Sequence, residues 1–290
     1  MNIGVVYATA AYIAWGMFPL YFHRLSQVNA FEVVLHRTLW SMVFLLGVLT
    51  VLRRWAWLRP VLAQPRVLGA FAVSALLLSC NWLTYVWAVH HNHVLDASLG
   101  YFILPLVNVA MGFFVLKERP RAVQWVAVAV AASGVLWLAL QAGHPPYTAL
   151  ILALTFGVYG LLRKLGALGA LEGLALETLL LAPLAALALV FLHWQGGSTL
   201  VPGDGVTLTW LVLSGPLTAV PLLLFAAGAR RVTLTTMGIL QYISPSLQFA
   251  LGVWVFQEPF ASSRMVGFAL IWMALLIYSV EGWWASRRQG

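Results

Sequence analysis

The chain has 290 residues, of which 62% are hydrophobic and 8% charged. A water-soluble domain averages about 25% charged residues, so 16 Lys and Arg with 8 Asp and Glu could not cover a water-facing surface of this size. The net charge of +8 lies in short clusters between apolar runs, with no basic face; this argues against a nucleic-acid partner and fits basic membrane loops.

A membrane span needs roughly 20 mostly apolar residues. In chain order the runs fall at 3–22, 31–52, 67–89, 97–116, 122–141, 146–162, 173–192, 207–229, 234–256 and 265–284. They predict an all-α membrane protein with ten transmembrane helices. The first run has no basic leader, Arg24 being the first charged side chain, and it is too long for a signal-peptide core. It is expected to stay in the mature protein as the first span. The separators carry Arg, Lys, His, Pro, Gly and Asp, as loops should. The single cysteine, Cys80, sits in an apolar run and is expected to pack as a small side chain.

Orientation follows from the basic residues. With a cytoplasmic N-terminus, the inner loops and tail carry 13 Arg and Lys: Arg53, Arg54, Arg59, Arg66, Lys117, Arg119, Arg121, Arg163, Lys164, Arg230, Arg231, Arg287 and Arg288. The outer side carries 3: Arg24, Arg37 and Arg264. Short loops with this asymmetry place both termini in the cytoplasm. All seven histidines fall at or near the outer side.

Sliding the chain against itself by 140 residues superposes two patterns. Pro105, Gly112 and Glu118 form Pro-x6-Gly-x5-Glu, and so do Pro245, Gly252 and Glu258. The same shift pairs Asn108 with Gln248, Ile103 with Ile243, Ala129 with Ala269 and Glu32 with Glu172. The expected units are 1–143 and 144–290, each with five helices. Five is odd, so the second unit should be inserted upside down relative to the first. The loop after Glu118 is basic, whereas the loop after Glu258 has only Arg264, which reports the same inversion. Inverted repeats around a midplane site are the architecture of many secondary transporters.

The Gly-x5-Glu pattern followed by an apolar helix resembles the drug/metabolite transporter superfamily, in its EamA-type branch. Several stretches narrow the resemblance to the RarD group: AYIAWG at 11–16, His36-Arg37, Asn81-Trp82, ASLGYF at 97–102, PLVN at 105–108, YGL at 159–161 with Arg163-Lys164, and QYI at 241–243 with Pro245. The resemblance covers nearly the whole chain. It implies ten helices, an inner (plasma) membrane location and a permease, the group's usual label being chloramphenicol sensitivity. Related families export amino acids and other metabolites.

Ionisable residues inside spans cost about 2.5–3.5 kcal/mol on insertion scales and are functional candidates by default. His36 and Arg37 in the second span and Glu177 in the seventh are such residues. The 140-residue shift places Arg37 opposite Glu177, each roughly 9 Å into its helix from opposite faces, too far apart in depth for a direct pair. They are expected to flank a central cavity. Arg37 would hold an anionic group of a substrate; Glu177, with His36, would serve coupling or gating. The alternative for Arg37 and Glu177 is that each snorkels to the nearer interface.

Tyr101, Pro105 and Asn108 share one helical face, and Gln241, Pro245 and Gln248 share the equivalent one. Pro105 and Pro245 are expected helix kinks, each leaving the carbonyl four residues earlier without its helical donor. Such a carbonyl needs protein or water at membrane depth, so these faces are expected to line the cavity, unless the amides only pack the bundle. Tyr12, Trp15, Asn81, Trp82 and Tyr85 would add an aromatic, hydrogen-bonding wall, with Tyr242 beside Gln241. Trp55, Trp57, Trp194, Trp283 and Trp284 fall near loop ends, as in an interfacial belt.

Other signals are weaker. His91-x4-Asp96 matches a short acyltransferase pattern with no second motif beside it. It keeps open an intramembrane lipid-modifying enzyme, as a non-transporting scaffold also stays open. His90, His91 and His93 lie too close together in one loop for a closed metal site, and Gly203-Asp204 sits in a loop. No ATP-using motif occurs. The leading expectation is therefore a secondary, non-ATP exporter of small organic solutes, with no catalytic residue, no cofactor and no metal. Its expected partners are a small-molecule substrate and the lipid bilayer, with a coupling proton and a homodimer left open.

Overall fold

The computed structural model describes residues 2–90, 94–141, 147–198, 204–255, 257 and 265–287. These residues form helices and no strand. The first half contains α1 (Ile3–Gly16), α2 (Phe18–His23), α3 (Ala30–Val51), the short α4 (Leu58–Leu62), α5 (Pro65–His90), α6 (Val94–Phe114) and α7 (Ala122–Leu140). The second contains α8 (Tyr147–Leu165), α9 (Ala170–Trp194), α10 (Gly205–Ala229), α11 (Leu234–Gln241), α12 (Ile243–Trp254) and α13 (Met265–Arg287). His91, His93, Glu258, Arg264 and Arg288 fall outside the described residues, as do the side chains of His90 and Asp96.

Helix starts are set by local side chains. Asn2 accepts from the Gly4 N–H, Asn29 from Phe31, Asp204 from Val206 and Thr207, and Thr233 from Thr236. Each satisfies donors that a helix start leaves without an internal partner. Asp204, which the sequence leaves in a loop, thus starts α10. Hydrogen bonding to Thr207, and then to the Val206 N–H, holds its carboxyl below the usual carboxylate range.

Among the described residues eight spans are long and apolar enough to cross a membrane: α1 with α2, α3, most of α5, α7, α8, α9, α10 and most of α13. α6 supplies a shorter apolar stretch, Leu99–Phe114, and the ninth run is divided between α11 and α12. Leu76, Leu136, Leu187 and Leu276, on four different helices, each stand about 60% exposed or more. Apolar surface of that kind on every side of the bundle suits a hydrocarbon solvent. The chain is a multi-pass, all-helical membrane protein.

The helices pack in a pattern that survives exchange of the two halves. α6 packs on α8 as α11 and α12 pack on α1; α3 packs on α10 as α9 packs on α5; α1 packs on α10 as α8 packs on α5. The remaining major contacts, α3 with α9, α6 with α11 and α7 with α13, join helices that the 140-residue shift makes equivalent.

Those equivalent pairs run antiparallel. Glu32, in the first turn of α3, accepts from Ser198 just beyond the end of α9 at 2.6 Å, and Glu172, in the first turn of α9, meets Arg54 just beyond the end of α3 at 2.8 Å. Arg121 at the start of α7 pairs with Glu281 near the end of α13 at 2.5 Å. Tyr242 donates to the Phe102 carbonyl, whose sequence distance of 140 is the repeat shift itself.

The Gly-x5-Glu pattern has a structural meaning here. The Glu118 carboxylate accepts from the backbone N–H groups of Leu234 and Thr235 at 2.7 and 3.1 Å and from the Thr235 hydroxyl at 2.9 Å. It therefore occupies the start of α11, where backbone donors and the helix dipole favour an anion. Gly112 is required because a Cβ there would collide with that carboxylate.

Candidate functional site

Two of the helical columns are interrupted by one residue. The first divides between α1 and α2 at Met17, ahead of Pro19. The ninth divides between α11 and α12 at Tyr242, three residues ahead of Pro245. Pro105 occupies the equivalent place in α6, which stays one helix. The neighbours explain the difference. Pro245 is flanked by Ser244 and Ser246, whereas Pro105 is flanked by Leu104 and Leu106. Ser246 donates to the Tyr242 carbonyl at 2.8 Å, and Ser244 donates across to the Tyr12 carbonyl at 2.6 Å. Serine hydroxyls compete for backbone groups around a proline and favour a kink, which leucines cannot do.

Between the broken helices lies a cavity of about 750 Å³. Its walls come from α1 and α2, the start of α3, α5, α6, α8, α10, α11 and α12, so both halves contribute. One end reaches the exposed side chains of His23 and Ser26, beside the connection between α2 and α3. The other end is shut by aromatic packing. Tyr12 and Trp15 meet Phe225 at ring distances of 6.3 and 5.6 Å, and Tyr159 stacks on Phe225 at 6.2 Å. Phe156 fills the space between Trp15 and Tyr159.

Of the residues expected to bind substrate, Tyr12, Trp15, Arg37, Asn81, Trp82, Tyr85, Tyr101, Gln241 and Gln248 line this cavity, as does Pro245. Asn108, Tyr242, Pro105, His36 and Glu177 lie outside the lining. Asn108 is buried behind the wall and donates to Gln241 Oε1 at 2.9 Å, holding a lining residue in place. Tyr242 is fully buried in a separate cluster with Phe102 and Phe268. Asn81 donates to the Leu152 carbonyl and to Thr155, and Gln248 donates to the Trp15 carbonyl.

Arg37 stands in the wall within an aromatic cage. Its guanidinium carbon lies 5.6, 5.4 and 5.2 Å from the ring centres of Phe18, Phe22 and Trp82, and Nε donates to Thr218 Oγ1 at 2.9 Å. Sequence reading did not single out Phe18, Phe22 or Thr218. The i, i+4 spacing of Phe18 and Phe22 was an available signal; Thr218 comes from a helix 181 positions away and had none.

Glu177 occupies the equivalent place in the second half and has different company. Its Oε1 accepts from Ser74 at 2.5 Å, its Oε2 from Tyr159 at 3.4 Å, and Arg163 lies 3.6 Å away. The whole group is buried. Arg163, which counts among the basic residues of an inner loop by sequence, is instead in the protein interior at the end of α8, donating to the Ala170 carbonyl and facing Phe71. Gly173 makes room for it, since a Cβ there would occupy the place of the guanidinium. Glu177 therefore neither lines the cavity nor snorkels. Together with Arg163 it lies behind Tyr159, at the shut end.

Comparisons with known proteins agree in one direction. Residues 2–140 match the EamA-like transporter family. An uncharacterized transporter of Pseudomonas aeruginosa, PA0485, is 44% identical over 285 residues, covering 98% of this chain and 96% of its own. The uncharacterized transporter YojE of Bacillus subtilis is 45% identical over 282 residues, with 95% and 93% covered. Protein RarD of Escherichia coli is 41% identical over 285 residues, with 98% and 96% covered. One solved crystal structure superposes with a TM-score of 0.75 at 20% identity, covering 96% of this chain and 98% of that one, and so shares the fold.

Proposed function

The chain belongs to the EamA-like transporter family, in its RarD group, and from that premise we propose that it is a secondary transporter of the inner membrane that exports small organic solutes by alternating access. The transporting core is two inverted five-helix halves, 1–143 and 144–290, making ten spans with both termini in the cytoplasm. Support comes from the antiparallel packing of α3 with α9 and α7 with α13, and from a contact pattern unchanged by exchange of halves. α6 and the bent α11–α12 unit complete the ten; both sit against the cavity and need not be fully apolar.

One observation carries the reading. A cavity of about 750 Å³ lies between the halves, open at the α2–α3 connection and shut at the other end by the Tyr12, Phe156, Tyr159 and Phe225 rings. Its size suits a drug-sized or metabolite-sized solute, for which pockets run about 300–1,000 Å³. With the basic loops cytoplasmic, this is the outward-facing form. Export then requires the halves to rock so that the aromatic floor parts and the outer end closes.

The test is flux. The purified protein in liposomes, screened with labelled metabolites with and without a pH gradient, should move at least one solute class. No flux in either condition would sink the transport reading. A pH-gradient dependence would identify a coupling proton.

A further inference from the structure

Resting on the transport reading, we infer that the cavity takes its solute by a single carboxylate, held by Arg37, on a flat apolar or aromatic body. The charge inventory of the wall points there. Arg37 is the one Arg or Lys among the described lining residues, and no Asp or Glu is among them. Arg37 makes no ion pair among the described residues. An unpaired charge at membrane depth costs about 2.5–3.5 kcal/mol, so its persistence needs an account.

The cage supplies only part of one. Three aromatic rings at 5.2–5.6 Å offset the charge. Rings attract a cation without accepting its in-plane hydrogen bonds. A guanidinium has five N–H donors, and the Thr218 hydroxyl accepts from Nε alone. Among the described residues no hydrogen bond is formed by the four Nη donors, and the hydroxyls of Tyr21, Tyr101 and Tyr85 act on the guanidinium only through the field. A planar fork of N–H groups at the wall of a cavity, with no carboxylate to meet it, matches the geometry of an incoming carboxylate.

The rest of the wall describes the remainder of the solute. Phe18, Phe22 and Trp82 surround the anchor and would hold an apolar or aromatic body beside the carboxylate. Among the described lining residues a second carboxylate would find no second Arg or Lys, only His23 at the open end, and a solute amine would find no Asp or Glu. The cavity therefore prefers a monocarboxylate to a dicarboxylate, and an acid to its amide or to the corresponding amine.

Titration calorimetry on the full chain in detergent tests this with four probes of one body: 3-phenylpropionate, 3-phenylpropanamide, phenethylamine and phenylsuccinate. The expected result is that phenylpropionate binds about 10-fold tighter or more than the amide, as a charge-assisted pair would give. Phenethylamine and phenylsuccinate should be weaker still. In Arg37→Gln the preference for acid over amide should vanish, and in Arg37→Lys part of it should return. Thermal unfolding of each variant shows that it is folded, and Thr218→Val, which keeps the charge, should weaken the acid preference without abolishing it. Equal or tighter binding of the amide or amine, an acid preference that survives Arg37→Gln, or no binding of any probe overturns the carboxylate assignment. Flux of neutral solutes alone would do the same while leaving transport standing. Carboxylate binding with no flux of any solute would sink transport and leave the site.

Discussion

The 140-residue shift pairs Arg37 of α3 with Glu177 of α9, and the protein treats the two in opposite ways. Glu177 is wholly enclosed, with Arg163, Ser74 and Tyr159 around it. Arg37 faces a cavity, with three aromatic rings around it, one hydrogen bond to the Thr218 hydroxyl and no counter-ion among the described residues. An enclosed, paired charge works as structure, because parting it leaves a buried ion without compensation. A caged, unpaired charge is open to a ligand. One half thus encloses an ion pair behind the aromatic rings, and the other leaves a charge facing the cavity.

The contrast can be broken most directly at the enclosed pair. Arg163→Met leaves Glu177 buried without its cation and should cost about 3–5 kcal/mol of stability, read as a large drop in unfolding temperature in detergent. The double variant Arg163→Met with Glu177→Leu should recover most of that loss. A single variant as stable as the parent would show that the pair does not hold the fold. Gly173→Ala should act on the same group more mildly. Its Cβ displaces the Arg163 guanidinium and should cost about 1–3 kcal/mol, with no equivalent penalty on the Arg37 side.

At the cavity the expected sign differs. Arg37→Met removes cation–ring attractions of about 0.5–1 kcal/mol each but also removes an unpaired charge that costs about 2.5–3.5 kcal/mol, so the fold should be as stable as before or slightly more so. A loss comparable to that of Arg163→Met would mean that Arg37 is structural after all. Smallest of all, Thr218→Val deletes one interhelical hydrogen bond, for which membrane proteins average about 0.6 kcal/mol. Its effect should show in ligand binding rather than in unfolding.

Much of this was legible beforehand. The 140-residue shift already matched Arg37 with Glu177, and most of the aromatic and amide residues it pointed to do line the cavity. The two equivalent prolines differ in their helices. Pro245 accompanies a break and Pro105 does not, because the flanking serines supply alternative partners for the backbone and the flanking leucines do not. Arg163 was misplaced because its neighbours Lys164 and Gly166 read as the start of a basic loop. Its burial depends on a glycine in the following helix that leaves it room.

The membrane as solvent, the order of helices and the equivalence of the two halves are written in the sequence, because hydropathy sums along a chain and a repeat is a property of spacing. Which of two equivalent charges is given a counter-ion is not written there. Ser74 lies 103 positions from Glu177, and Thr218 lies 181 positions from Arg37. Hydrogen bonds and ion pairs act over a few ångströms, so only the packing of distant helices against one another could decide that one charge is locked and the other left open to a solute.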